Sequence, residues 1–128
     1  MFAFKKIYFL IINRTLDINL NKINRNSKFV IIYRNKANSE NLSKVISFRK
    51  RCKSLGIKFF VANNVRLNLK LKSDGIYISA SNNSFKPLHL KNLNKEIIGS
   101  AHNLKEIYEK NKQGCNYIIV SKLFKVNY

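Results

Sequence analysis

The sequence predicts an α/β protein in which β-α units repeat around a parallel sheet. Most of its short apolar runs are continuous instead of alternating, which is typical of strands buried on both faces. Polar, helix-compatible stretches separate the runs, and such units pack as right-handed crossovers. The pattern alone leaves a Rossmann-like sheet open, although the chain has no G-x-G-x-x-G or Walker loop. The runs are Ile7–Ile12, Phe29–Tyr33, Ile57–Ala62, Gly75–Ser79, Glu96–Ser100 and Tyr117–Ser121.

Two of the connections carry clear helix signals. After the second run, apolar residues recur at helical spacing from Leu42 to Cys52, and Gly56 is a plausible helix stop. After the fifth run, Asn103 is placed to cap a helix and Glu106 to complete a capping box, with Gly114 at the far end.

The other connections are less distinct. Thr15–Ser27 is short and Asn-rich, so the first helix is expected to be reduced or absent. Asn64–Lys72 allows about two helical turns but also permits a strand.

Composition indicates one domain, residues 1–128, with a strong positive charge. Hydrophobic residues make up 45% of the chain, and 25 Lys and Arg oppose 6 Asp and Glu for a net +19. Such a charge attracts nucleic acid, anionic membranes and phosphorylated ligands alike. Lys residues are spread over the whole length, and Lys, Asn and Ile share AT-rich codons, so genome composition is a competing explanation.

Targeting and cysteine signals favour a cytoplasmic protein. The apolar run Ile7–Ile12 is too short for a membrane span and Asn13-Arg14 follows it instead of a cleavage site. Cys52 and Cys115 lack the spacing of a zinc site and suit a reducing compartment.

Candidate site residues follow the strands. In parallel β-α sheets, chemistry collects at the carboxyl ends of the strands. The set found there is cationic and amide-rich without a carboxylate, and it suits a phosphate or diphosphate group. Asn63 and Asn64 have the alternative role of capping the next helix. The set comprises Arg34, Lys36, Asn63, Asn64, Ser79–Asn83, Ser100, His102, Ser121 and Lys122.

Five patches at these ends carry a family resemblance. They are Tyr33-Arg34-Asn35-Lys36, Ala62-Asn63-Asn64, Asp74-Gly75-Ile76-Tyr77, Ile97-Ile98-Gly99-Ser100-Ala101-His102 and Gly114-Cys115-Asn116-Tyr117-Ile118. Their order and spacing resemble the thiamine phosphate synthase/TenI family, which has R-x-K, N-D, D-G-V-H-L-G, I-G-x-S-x-H and G-A-D-Y-I after or within successive strands. The resemblance implies an incomplete (β/α) TIM barrel, truncated at its C-terminus, with about six of the eight β/α units.

The resemblance also implies a function in thiamine biosynthesis or salvage. The synthase couples hydroxymethylpyrimidine diphosphate to a thiazole phosphate with Mg²⁺, and the TenI branch shifts a proton on a thiazole. By this resemblance, Arg34 and Lys36 would hold the diphosphate and Asn63 would help to position it. From their places at the strand ends, Asn64, Ser100, Ser121 and Lys122 are further candidates for binding substrate or phosphate. His102 would be the acid/base of the tautomerase.

The metal-binding Asp residues of the family are replaced. Asn64 and Asn82 stand at those positions, and an amide oxygen carries no charge. We therefore expect weak or absent Mg²⁺ binding and impaired coupling.

Two other functions remain open from the sequence. One is a catalytically inactive barrel remnant that binds a ligand or a partner. The other is a basic nucleic-acid-binding protein, although no RRM, KH or zinc pattern supports it. An unclosed sheet exposes strand edges, so a homo-oligomer is an expected partner state, whereas a membrane is not.

Overall fold

One parallel sheet organises the computed structural model, which describes residues 7–23, 28–37 and 39–120. Its order is β1-β2-β3-β4-β5-β6, and each neighbouring pair is parallel. Strands in sequential order form a curled half-barrel, because every crossover passes on the same side. This order excludes the Rossmann-like alternative, whose strand order reverses at the centre. The strands are β1 (Ile7–Ile12), β2 (Lys28–Tyr33), β3 (Lys58–Ala62), β4 (Gly75–Ile78), β5 (Glu96–Ala101) and β6 (Tyr117–Val120).

Three α-helices connect these strands: α1 (Leu42–Ser54), α2 (Val65–Leu71) and α3 (Leu104–Lys112). α2 resolves the ambiguity of Asn64–Lys72 in favour of a helix. The described part of the first connection holds only two 3₁₀ turns, Thr15–Asp17 and Leu20–Lys22, as expected of a reduced helix. None of the helices in the described residues is long and apolar enough to cross a membrane.

The connection between β4 and β5 contains a 3₁₀ helix that the sequence did not reveal. It spans Lys86–Leu93, with Pro87 at its start and Asn94 at its end in the left-handed conformation (φ 56°). Pro favours a helix start because it needs no backbone donor there.

The two faces of the sheet bury separate cores. Side chains that face α1 and α2, including Ile31, Phe59 and Val61, pack in one cluster. The alternate residues Ile32, Phe60 and others face the concave side and pack with Tyr77 and Ile98. A fully buried Phe such as Phe60 contributes about 1.5–3 kcal/mol relative to an exposed one.

Asn residues begin all three helices. Asn103 Oδ1 accepts the N–H of Glu106 at 2.8 Å, so the predicted cap is confirmed. The Glu106 carboxylate, however, accepts the N–H of His102 at 2.9 Å instead of completing a box with Asn103. The cap therefore also fixes the backbone at His102.

Asp74 stabilises the turn that leads into β4. Its carboxylate accepts the N–H of Phe59 at 2.8 Å and forms a salt bridge with the buried Arg49 at 3.3 Å. The Arg49 guanidinium also donates to Lys72 O at 3.0 Å. These contacts hold α1 against the residues at which β3 and β4 begin.

α3 packs directly against β5 because Gly99 has no side chain. A Cβ there would come within 2.6 Å of Cys115 Sγ and 2.8 Å of Lys110 Cδ. The fully buried Lys110 ammonium donates to Ala80 O at 3.3 Å and to Asn82 O at 3.1 Å. α3 thus fixes the loop that follows β4, which carries Asn82.

Candidate functional site

A cavity of about 900 Å³ opens beyond the carboxyl ends of β2 and β3. The loop after β2, the residues that begin α2 and the loop after β4 form its walls. Five residues singled out from the sequence line it together: Arg34, Lys36, Asn63, Asn64 and Asn82.

Arg34 is positioned by an aromatic ring. Its guanidinium carbon lies 6.0 Å from the centroid of Tyr77, and the Tyr77 hydroxyl donates to Ser100 Oγ at 2.9 Å. The Arg34 backbone N–H continues the strand pairing by donating to Ile12 O at 2.8 Å. Within the described residues, the buried Arg34 Nε has no hydrogen-bond partner, so the guanidinium is held in place with donor capacity to spare.

Asn63 ties the ends of β3 and β4 together. It adopts the left-handed conformation (φ 60°), which Asn tolerates better than most residues. Its Oδ1 accepts from Ser79 N at 2.9 Å, Ser79 Oγ at 3.2 Å and Asn82 Nδ2 at 3.0 Å. Since that oxygen is fully used, Asn63 Nδ2 is the donor that remains for a ligand among the described contacts.

The oxygens of Asn64 and Asn82 are also engaged. Asn64 Oδ1 accepts the N–H of Leu67 at 2.9 Å, which confirms the capping role considered from the sequence. Asn82 Oδ1 accepts the N–H of Ser84 at 2.9 Å and so closes a local turn. Both side chains stabilise the walls of the cavity.

Three further cations of the described residues line the cavity, and the sequence analysis did not single them out. They are Arg66 and Lys70 of α2, and Lys86. The signal was the four-residue spacing of Arg66 and Lys70, which places them on one helix face once α2 is known to be helical. Among the described residues that line the cavity, none is Asp or Glu.

One carboxylate, that of Glu40, lies beside this cavity. It lines an adjoining cavity together with Arg66 and Lys70. Its oxygens accept from Thr15 N at 3.1 Å and from the Tyr33 hydroxyl at 2.9 Å. Burial, reinforced by the hydrogen bond to Glu40, raises the pKa of Tyr33 above its usual range. Glu40 thereby joins the loops after β1 and β2.

Two of the other predicted residues, Ser100 and His102, do not line this cavity. Ser100 faces Tyr77 on the concave side of the sheet. His102 follows β5, with a side chain that is 52% exposed and Nδ1 at 3.4 Å from Glu106 Oε1. Ser121 and Lys122 lie outside the described residues.

Comparison with known proteins now identifies the family. Residues 10–127 match the family described as thiamine monophosphate synthase. The chain belongs to the thiamine monophosphate synthase family. The family match begins within β1 and includes β2 to β6, so it agrees with the resemblance inferred from the five sequence patches.

Individual relatives of the thiamine monophosphate synthase family are distant. A thiamine-phosphate synthase from Prochlorococcus marinus is 31% identical over 75 residues, which are 58% of this chain and 22% of that protein. One from Bacillus licheniformis is 31% identical over 68 residues, 52% of this chain and 30% of that protein. The chain therefore matches less than a third of the length of these curated relatives.

A solved structure supports the same fold. The thiamine phosphate pyrophosphorylase from Pyrococcus furiosus superposes with a TM-score of 0.64 at 19% identity, covering 94% of this chain and 61% of that chain. The likeness confirms the partial TIM-barrel-like architecture.

Members of the thiamine monophosphate synthase family normally depend on Mg²⁺, but the residues present here do not fit such a site. The oxygens of Asn64 and Asn82 already accept backbone N–H groups. Within residues 7–23, 28–37 and 39–120, no group of three or more His, Cys, Asp or Glu side chains could hold a metal ion. Hard divalent cations require several free oxygen ligands, and carboxylates in particular.

Proposed function

We propose that this member of the thiamine monophosphate synthase family binds a phosphorylated thiamine precursor in the cavity beside β2 and β3. The observation that carries the proposal is that Arg34, Lys36 and Asn63 share one cavity with three more cations, while no carboxylate of the described residues lines it. The ligand would be hydroxymethylpyrimidine diphosphate or a thiazole phosphate, the two precursors that the family couples.

Each side chain has a defined part in the proposed binding. Arg34 offers a planar fork to two phosphate oxygens, while Lys36 offers a point charge. Asn63 Nδ2 adds a neutral donor at the end of β3. The ring of Tyr77 keeps the Arg34 guanidinium oriented before the ligand arrives, which lowers the entropic cost of binding.

Isothermal titration calorimetry with each precursor tests the proposal. Arg34→Ala is expected to weaken the affinity at least about tenfold, because it removes a bidentate, charge-assisted contact. Lys50→Ala, an exposed cation of α1, is the matched control and leaves the affinity unchanged. Absence of binding by the folded protein to either precursor contradicts the proposal, and tight, salt-sensitive RNA binding in its place would favour the nucleic-acid alternative.

Proton transfer by His102 is the second candidate, as in a thiazole tautomerase. The contact of 3.4 Å between His102 Nδ1 and Glu106 favours it, since a carboxylate orients the imidazole of many acid/base pairs. Proton transfer by His102 depends less than the coupling reaction does on the metal-binding Asp residues that Asn64 and Asn82 replace. Tautomerase turnover that falls in His102→Ala while precursor affinity stays constant supports this role, and turnover unaffected by the substitution refutes it.

A further inference from the structure

The cavity carries more positive charge than the described carboxylates beside it can balance. Five cations line it: Arg34, Lys36, Arg66, Lys70 and Lys86. The salt bridges found among the described residues join other pairs, Arg49–Asp74 and Lys58–Glu96. Glu40 lines an adjoining cavity with Arg66 and Lys70 and is held by hydrogen bonds from Thr15 and Tyr33, so it supplies one negative charge beside five positive ones.

α2 holds two of these cations in an arrangement that is unfavourable without an anion. Arg66 and Lys70 are four residues apart, and like charges at that spacing repel each other on a helix face. The first turn of α2 contains no acidic residue that would offset them. An anionic group in the cavity would turn this repulsion into attraction to a shared ligand.

The oxygens that would have to bind a metal are needed by the fold. Releasing Asn64 Oδ1 would remove the cap of α2, and releasing Asn82 Oδ1 would open the turn to Ser84. Asn82 is held further by Lys110 and Gln113, which donate to its carbonyl at 3.1 and 2.8 Å. Both oxygens are therefore already engaged by backbone donors, and in the part of the chain that the structure describes no carboxylate lines the cavity to attract a cation.

We infer that the cavity binds the phosphate or diphosphate of its ligand without a divalent cation, with Arg66, Lys70 and Lys86 supplying the charge that a metal would otherwise supply. Arg and Lys clamps neutralise phosphoryl oxygens by the same electrostatic principle as a bound metal. The inference rests on the proposed function for the identity of the ligand. It assigns an anion-binding role to three residues outside the family motif.

Calorimetric titration with inorganic pyrophosphate, in EDTA and then in Mg²⁺, tests the inference on the full chain. Binding is expected in EDTA, and Mg²⁺ is expected to weaken it, because complexed pyrophosphate carries less negative charge. The double variant Arg66→Ala/Lys70→Ala should lose about tenfold or more in affinity in EDTA. The control Lys50→Ala/Lys53→Ala removes the same charge from exposed positions of α1 and should change affinity less than about twofold, since salt screens distant charges.

The outcomes separate the inference from the proposed function. Binding that appears only with Mg²⁺, or an equal loss in both double variants, overturns the inference. Precursors that bind only with Mg²⁺ would still support the proposed function. Pyrophosphate that binds in EDTA while neither thiamine precursor binds would leave the inference standing and refute the proposed function. Thermal unfolding of each variant verifies that these exposed substitutions leave the fold intact.

Discussion

At the scale of single residues, the side chain of Asn64 stands where the family combines a helix cap with a metal ligand. The start of α2 needs an acceptor for the N–H of Leu67, and Asn64 Oδ1 supplies it at 2.9 Å. The family places Asp there as a metal ligand, and Asp caps a helix as well as Asn does. Asn thus retains the cap while removing the charge that a metal requires.

Restoring that charge gives the first prediction. Asn64→Asp keeps the cap and places a carboxylate in the cavity, so pyrophosphate should bind more weakly in EDTA, by about tenfold, because the like charges repel. Mg²⁺ should recover part of this loss by bridging the carboxylate and the diphosphate. Calorimetry under the two conditions measures both effects. Asn64→Ala is the control: it costs about 1 kcal/mol of stability through the lost cap and should show no Mg²⁺ recovery. Equal affinity of the Asp variant in EDTA and Mg²⁺ would contradict the argument.

At the scale of elements, the attachment of α3 to the loop after β4 depends on one buried cation. Lys110 is fully buried and donates to two backbone carbonyls, those of Ala80 and Asn82. Lys110→Met keeps the stem of the side chain but leaves the two carbonyls without this donor, so the free energy of unfolding should fall by about 1–3 kcal/mol. Urea denaturation measures it.

An exposed lysine of the same helix provides the comparison for Lys110. Lys105→Met lies in the first turn of α3 and should change stability by less than about 0.5 kcal/mol. A Lys110→Met protein as stable as Lys105→Met would show that the loop is held by other contacts, of which those of Gln113 to Asn82 and Ser84 are the nearest.

These elements also show which parts of the fold sequence patterns encode. Continuous apolar runs located the strands to within a residue or two, because burial on both faces leaves little room for polar residues. The burial of Lys110 was not predictable, since lysine is almost always exposed unless a partner is supplied by distant parts of the chain. The shared position of Arg66 and Lys70 was not predicted, because the pattern of Asn64–Lys72 permits a strand as well as a helix and only a helix places them on one face. The 3₁₀ helix at Lys86–Leu93 has no amphipathic period to reveal it.

At the scale of the whole molecule, the sequential strand order is what gathers the site. Arg34 follows β2, Asn63 follows β3 and Asn82 follows β4, and parallel strands deliver all three to one edge of the sheet. His102, after β5, lies at the same edge but outside this cavity. The order of the motifs along the chain therefore predicted that these residues share one edge of the sheet. Which of them line the same cavity depends on side-chain packing, which a single sequence does not reveal.

Global packing also controls the chemistry of the two thiols, which gives the last prediction. Burial raises the pKa of Cys52 to about 12 and that of Cys115 to about 11, so both thiols stay protonated and weakly nucleophilic at pH 8. Cys52 is fully buried on the inner face of α1, so its reaction with a disulfide reagent should be slow and should follow global unfolding as urea increases. Cys115 is only partly buried and should react sooner through local opening near α3. The rate of Cys52 modification is measured in a Cys115→Ala variant, with circular dichroism recorded in parallel to follow unfolding. Rapid modification of Cys52 in the native protein would show that the α1 side of the core opens without global unfolding.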